Sequence, residues 1–536
     1  MKCLRDSAVR IAGRSIIFVL SAGLLFSAIS TFAGNDGDTP MLYINSQLIA
    51  VDIPVGRGEK CERIVGVKIM TEGNSAPLEL TSVWFSLSGT TGLSDIAIIK
   101  AFYTGANPRL DTGRLFGTTG VSEGQLTISG RQKLAEGVNH LWITADLTPE
   151  AAEGQYLGGE INTVELSGEE YAVEPATAKS RRLILLENKL LFSGGDLGYG
   201  NFRIPAVETA ADGSVIIAAD ARTVPGDLPN DIDIVTRRST DRGDTWSDPL
   251  IIADFGKYGA SDPALVLDRR TGDLLCMFAS HQGLFRSTPS DPIRFNVCRS
   301  RDNGKSWSSP TDCTGQIYAP GWYASWLASG SAFQMRSGRI IGAVGVRQGP
   351  GYGISNFMIY SDDSGHSWNY KPAIAATEGD EAKLVELDNG NLMMNIRNQV
   401  PDCRKIVQSR DGGESWGTAY FQSELVDPAV NGDLIRYTSV KDGYDKSRLL
   451  FSTASDPTMR RNLTLFLSYD EGATWPVSRV INPGPSGYSS LTILDDGTIG
   501  CFYENGEYED YQLYFARLSL EWLSGGKDTF RPAGAR

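Results

Sequence analysis

The sequence predicts an all-β chain, a β-propeller preceded by a small β-sandwich. Three observations predict it. The 536 residues include 59 glycines, 20 tyrosines and 10 tryptophans, with few long apolar runs of helical period, a composition that favours strands and turns. One eight-residue box recurs five times in the C-terminal two-thirds. A second repeat, a glycine turn followed by an apolar strand, lies between the boxes.

The chain opens with Lys2, Arg5, Arg10 and Arg14 ahead of the apolar run "SIIFVLSAGLLFSAIS", and "STFA" ends in small residues near Ala33. This is the pattern of an export signal over residues 1–33, with a mature chain starting near Gly34. No later stretch is long and apolar enough to span a bilayer. The expectation is an exported protein, periplasmic, outer-surface or secreted, without an integral membrane segment after cleavage.

Residues 34–186 lack the boxes. "MLYINSQLIAVDI", "LELTSVWFSLSG", "IAIIKAFYTG", "QLTISG" and "NHLWITADL" are short β-branched and aromatic runs separated by Gly, Asn and Pro, which reads as the independent sandwich. The basic stretch "EPATAKSRRLILLEN" leads into residues 187–536, the propeller.

The boxes are "STDRGDTW" from Ser239, "SRDNGKSW" from Ser300, "SDDSGHSW" from Ser361, "SRDGGESW" from Ser409 and "SYDEGATW" from Ser468. They share S-x-D-x-G-x-x-W at intervals of about 50 to 60 residues, the period of a propeller blade. Each reads as a peripheral hairpin turn: Asp bonds the turn backbone, Gly is left-handed, and Trp packs over the sheet. Between the boxes, the glycines Gly213, Gly272, Gly338, Gly390 and Gly497 mark turns. Seven or nine residues after them stand Arg222, His281, Arg347, Arg397 and Glu504; nine or ten before them stand Arg203, Asp262, Glu381 and Tyr488. Odd offsets give the first group one side-chain parity, so polar groups of several blades should converge at one end of the propeller axis, where ligands bind such folds.

The net charge of −14 argues against a nucleic-acid partner, whose phosphates need a basic surface. An anionic substrate would need a local arginine cluster working against the global field. Six cysteines remain after processing (Cys61, Cys276, Cys298, Cys313, Cys403, Cys501) without metal-type spacing, Cys298 and Cys313 being the nearest pair in sequence. The histidines His140, His281 and His366 share no zinc or triad spacing. No metal and no cofactor are expected.

"FRIP" at Arg203 followed by five boxes resembles the exported bacterial retaining exo-α-sialidases (neuraminidases), from about Leu190 to Leu520. The resemblance implies six blades and a site that releases terminal α-linked sialic acid. It implies that Arg203, Arg397 of "NIRN" and Arg460 of "TMRRN" grip the substrate carboxylate, with Arg461 as the alternative third arginine, and that Glu504 of "YENG" orients Arg203. Arginine suits that task because its planar fork matches a carboxylate. By the same resemblance Tyr488 is the nucleophile and Glu381, sixteen residues before Arg397, its base. A neutral phenol avoids the repulsion that a carboxylate would meet at an anomeric carbon already bearing one. Asp227 matches the acid/base, with Asp231 and Asp233 as alternatives read as solvent-facing or turn-bonding. Arg222 and Asp262 match the groups near the substrate C4 position; Arg347 has no counterpart and reads as an ordinary ion pair. The implied partners are sialylated glycans and glycoproteins. A trans-sialidase or intramolecular trans-sialidase on the same site, and a non-catalytic sialoglycan-binding propeller, are the alternatives. The sandwich reads as a carbohydrate-binding module with Trp84, Tyr103 and Trp142 as candidate aromatics, or else as a packing domain.

Overall fold

The computed structural model describes residues 38–534 apart from Tyr352, Pro401 and residues 507–510. The export signal read over residues 1–33 lies outside the described residues.

Two sheets face each other in the N-terminal part. One orders Leu42–Ile49, Glu62–Glu72, Gly137–Leu147, Ile96–Gly105 and Leu115–Thr119; the other orders Val55–Gly56, Ser180–Leu185, Tyr156–Leu166, Glu79–Ser86 and Gln125–Lys133, with Glu169–Ala172 paired at the side. Alternate residues such as Val65, Val67 and Ile69, or Val83 and Phe85, point inward and fill one core, as the period of two requires. Tyr103 and Trp142 are buried within this part, the Tyr103 hydroxyl donating to Asn139 Oδ1. They are packing residues, which removes two of the three aromatics read as glycan platforms.

The stretch read as a connector is itself two strands. Ser180–Leu185 completes the sandwich, and Glu187–Phe192 pairs antiparallel with Gln512–Leu518 as the outer strand of the last blade. Closing the ring with a strand from the start of the propeller leaves no frayed junction between first and last blades. The two parts share an apolar and polar seam. Leu183 and Leu185 pack with Leu518, Leu520 and Trp522, Ser519 donates to Glu153, and Asn188 donates to the Pro54 carbonyl at 2.8 Å.

Six blades follow in order. Four strands form the first (Asn201–Thr209, Val215–Arg222, Ile232–Ser239, Leu250–Ala253), and the later blades repeat this antiparallel order. The strand Val477–Ile493 is shared, its first half edging the fifth blade and its second half opening the sixth. The five turn glycines all have positive φ, from 80° to 89°. The repeat missed in the sequence is that of the fifth blade, whose hairpin between Asp433–Thr438 and Arg448–Ala454 is longer and turns through Gly443.

All five boxes lie in the turn from third to fourth strand and share one set of bonds. In the first, Ser239 Oγ donates to Asp241 and accepts from the Gly243 amide at 2.8 Å, and Asp241 accepts from the Thr245 amide and hydroxyl. Two successive residues are left-handed where one was expected, Arg242 at φ 60° and Gly243 at 98°. The sixth blade has no box because its fourth strand is Glu187–Phe192, so that turn does not exist.

Candidate active site

Four of the innermost strands carry a bulge at the same height. The ladder skips from Arg203 to Ala206, from Ser261 to Ala264, from Gly379 to Ala382 and from Ser486 to Ser489. In each case two residues face one on the neighbouring strand, the arrangement that bends a strand and re-aims its side chains. The bulged pairs are Ile204–Pro205, Asp262–Pro263, Asp380–Glu381 and Gly487–Tyr488, and the single residues opposite the last two are Arg397 and Glu504. Four of the nine site residues read from the sequence thus sit at two bulges. Local strain accompanies them: Ile204 has φ 59° and Asp262 φ 62°, conformations costly for a branched side chain. Gly487 is required by space, since a Cβ there would come within 2.0 Å of Glu504 Oε2.

Glu504 is the hub. Its fully buried carboxylate accepts from Arg203 Nε at 3.1 Å and Nη2 at 3.3 Å, from the Ile204 amide at 2.9 Å and from the Tyr488 amide at 2.8 Å. This accounts for Arg203 inside "NFRIPAV": burial opposes the charge, but Glu504 holds the guanidinium ionised, well above its ordinary pKa range. The Arg203 guanidinium lies 5.2 Å from the Tyr488 ring centre and 5.1 Å from that of Tyr511. From the opposite bulge, Arg397 Nη1 donates to Glu381 Oε2 at 2.5 Å and to the Tyr488 hydroxyl at 2.8 Å. Arg460 brings a third guanidinium 5.6 Å from the same ring and donates to the Ala429 carbonyl at 3.0 Å. Arg461 instead pairs with Asp456 at 2.8 Å and is half exposed, so of the two neighbours only Arg460 reaches the cavity.

Arg203, Ile204, Glu381, Arg397, Arg460 and Tyr488 line a cavity of about 480 Å³, with Glu504 behind it. Asp227 stands on its rim, its side chain 71% exposed and 3.0 Å from Arg222 Nη2. Asp233 does not reach it. Far from facing solvent, Asp233 is buried and accepts from the Tyr199 hydroxyl, and burial pushes its carboxyl up to about 6.

Counting sevens and nines together merged two rings. Seven residues after the glycine stand Asp220, Arg397 and Glu504; nine residues after stand Arg222, His281 and Arg347. Asp220, which sequence reading passed over, accepts from Arg222 Nε and Nη2, from Ser261 Oγ at 2.6 Å and from the Asp262 amide at 3.0 Å. His281 and Arg347 do not line the cavity. His281 stacks on Tyr258, and Arg347 makes no ion pair among the described residues, donating instead to the carbonyls of Leu284, Ser287, Pro350 and Gly351.

Burial dominates the cavity's titration. It pushes the Asp262 carboxyl well above its ordinary range, helped by the neighbouring charges of Asp220, Asp227 and Glu381, and raises Asp380 to about 6 against the pull of Arg397. Burial also raises the Tyr488 phenol well above its usual value, opposed by Arg397 and, more weakly, by Arg460 and Arg203.

A further support was not legible in sequence. Asp427, fully buried, accepts from Arg404 Nη1 at 3.1 Å and from the Val430 amide at 2.9 Å. The segment it pins touches three cavity residues: Ala429 holds Arg460, Val430 packs on Tyr488, and Asn431 bonds Ser329, which donates to Glu381.

Residues 224–501 match the family described as BNR repeat-like domain, and residues 43–170 match the N-terminal domain of BNR-repeat neuraminidase. The chain belongs to the BNR-repeat neuraminidase family. It is 35% identical over 358 residues to a sialidase of Micromonospora viridifaciens, covering 63% of this chain and 54% of that one, so it spans about half the length of that relative. A sialidase of Bacteroides fragilis is 26% identical over 488 residues, 80% of this chain and 87% of its own. Among solved structures, Hadza microbial sialidase Hz136 superposes with a TM-score of 0.70 at 25% identity over 89% of this chain and all of that one. Arg203, Arg222 and Glu504 fall outside the repeat match; Arg203 lines the cavity with residues inside it, and Arg222 and Glu504 bond cavity residues from behind.

Proposed function

We propose that the protein is an exo-α-sialidase that hydrolyses terminal α-linked sialic acid from glycoproteins, glycolipids and oligosaccharides with retention, through a tyrosyl-sialosyl intermediate. The observation that carries this reading is Tyr488 among three guanidiniums, Arg397 donating to its hydroxyl and Arg203 and Arg460 lying over its ring, with Glu381 bonded to the same Arg397 nitrogen. A carboxylate beside an anomeric carbon fits that cluster, and it brings the carbon over the phenol.

In this reading Tyr488 attacks C2 and its proton passes to Glu381. The C2–O bond breaks as Asp227 protonates the leaving oxygen. Water then gives a proton to Asp227 and attacks C2, and the tyrosyl oxygen leaves, recovering its proton from Glu381; two displacements retain configuration. Because burial keeps the phenol protonated, its ionisation is coupled to attack rather than stored. Glu381 and Tyr488 share Arg397 as donor, which holds them side by side, and the carboxylate keeps lone pairs to take the phenol proton. Asp227 meets Arg222 through Oδ1, so the proton for the leaving oxygen is carried on Oδ2. The apolar N-terminal run supports export, which would place the enzyme among extracellular glycans.

The test is product release from a fluorogenic α-sialoside by the purified chain. Turnover should fall at least about 10³-fold in Tyr488→Phe. In Asp227→Ala the loss should be largest for poor leaving groups, within the 10²- to 10⁴-fold range of general acid catalysis. Nuclear magnetic resonance of the first-formed anomer reads retention directly. Binding of sialosides without turnover would overturn the catalytic reading, and an anhydro product would identify intramolecular transfer.

A further inference from the structure

Arg347 aligns with Arg222 in the repeat but does different work, and what it braces points outward. Its buried guanidinium is spent on four carbonyls, two of them in the loop of residues 283–287. That loop is tightened by the Arg286 and Ser287 amides, both donating to the Gly283 carbonyl at 3.0 Å. Ser287 Oγ in turn donates to the Tyr323 carbonyl and accepts from the Ile293 amide. Gly283 lies so close against the Asp227 loop that a Cβ on it would fall 2.2 Å from the Leu228 carbonyl. At the loop's tip, Phe285 is 53% exposed over the Arg347 guanidinium at 5.7 Å, and Arg286 is exposed on the cavity wall with no side-chain ion pair or hydrogen bond among the described residues.

We propose that Arg286, presented by this braced loop, forms a leaving-group subsite that selects substrates carrying a second anion on the sugar next to the sialic acid. The inference rests on the sialidase reading, in which Asp227 meets the leaving oxygen, so the departing sugar lies on the Asp227 side of the cavity. Loop 283–287 borders that side. A second anion approaching there meets the exposed Asp227 side chain on a chain of net charge −14, so its acceptance needs a local cation. The guanidiniums of Arg203, Arg397 and Arg460 are grouped around Tyr488 and engaged by the first carboxylate, and Arg222 is held by Asp220 and Asp227. Arg286 is the cavity arginine left to receive a second anion. A rigid backbone makes its reach cheap in entropy, since only the side chain has to order. The shared chemistry is an anionic oxygen group, the carboxylate of a penultimate sialic acid or the sulfate of a sulfated sugar.

The experiment compares kcat/KM on three substrates: sialyl-lactose with a neutral leaving group, an α2-8-linked disialyl glycan, and a sulfated sialyl-lactose. The quantity read is the charged-to-neutral ratio, which cancels any general damage. Arg286→Ala should lower that ratio about tenfold and Arg286→Lys by less, as expected for loss of a charge-assisted bond. In the parent the ratio should also fall with added salt, because the guanidinium is exposed. A fall on either charged substrate supports the subsite and names the anion it takes; a ratio unmoved on both overturns it. A chain that cleaves none of the three fails the sialidase reading alone. The affinities of the Tyr488→Phe and Tyr488→Phe/Arg286→Ala chains for the same glycans then decide the subsite by the same ratio.

Discussion

The outer turns and the inner bulges of this propeller are repeats of opposite kinds. At the periphery both backbone and side chains recur: five boxes make the same Ser–Asp–Gly bonds, and each box glycine seats against the preceding blade. Gly243 abuts Phe515, Gly304 Ile216, Gly365 Leu275, Gly413 Met358 and Gly472 Met393. Near the axis only the backbone recurs. Four bulges stand at one height, but they present to the cavity an isoleucine, three acids and a tyrosine. The periphery performs one mechanical task five times, so its sequence repeats. The axis addresses a single asymmetric ligand, so there the sequence must vary while the geometry stays fixed.

The largest expected effect follows from cutting where the bulges meet. Glu504→Gln removes the charge that buries Arg203 and weakens the bonds that fix the Ile204 and Tyr488 amides. Breaking one partner of a buried pair costs about 3 to 5 kcal/mol, to be read by denaturant unfolding. Sialoside kcat/KM should fall at least about 10²-fold, because two groups of the proposed site lose position together. A variant of near-parental stability and activity would show that the bulges hold their shape without the hub.

The same contrast should appear along the pH axis, with opposite signs. Burial pushes the Glu208 carboxyl, on the inner strand of the first blade, up to about 7, only partly offset by the Thr209 and Leu267 amides. Its folded pKa lies above the unfolded one, so its stabilisation is complete below about 4.5 and is lost as pH rises through about 7. At the rim, the Ser415 hydroxyl and amide hold Asp411 down at about 2. That contribution is present above the unfolded carboxyl value and lost as pH falls toward 2. Glu208→Gln should therefore flatten the neutral limb of a stability-against-pH curve by about 3 kcal/mol. Asp411→Asn should flatten only the acid limb. Equal effects on both limbs would break the comparison.

How legible each region was follows from the same difference. The boxes could be read from sequence because one local bond set demands Ser, Asp and Gly at fixed spacing. Even their missed member was visible: the seventh position is Thr245, Ser306, Ser367, Ser415 or Thr474, each donating its hydroxyl to the box aspartate. The family resemblance carried nine residues to the site region, but parity counting alone did not separate Arg397 from His281 and Arg347. Offsets of seven and nine share one parity, so the count gives the face but not the height; on the preceding strands each bulge inserts a residue, and there the count slips by one. Asp220 was missed although it stands at the seven-residue offset of Arg397 and Glu504, because Arg222 two residues on drew the count; its bonds to Ser261 and Asp262 come from the next blade. The Asp427–Arg404 support joins two neighbouring strands and no local pattern marks it. Tyr103 and Trp142 misled for a related reason: an aromatic in a short strand reads alike whether it faces the core or the solvent.

The smallest effect is the most discriminating for the periphery. In Ser361→Ala the hydroxyl that donates to Asp363 and accepts from the Gly365 amide at 2.8 Å is lost, which costs about 1 kcal/mol for a net hydrogen bond. Gly365 and Trp368 keep their seats against Leu275 and Phe295, so the blade contact itself survives. A midpoint shift in denaturant of that size, with sialoside kcat/KM within about twofold of the parent, is the outcome of a turn that staples blades and does no chemistry. A tenfold loss of kcat/KM at unchanged stability would show instead that the outer turns set the register of the inner strands, and the division between repeated frame and varied site would fall.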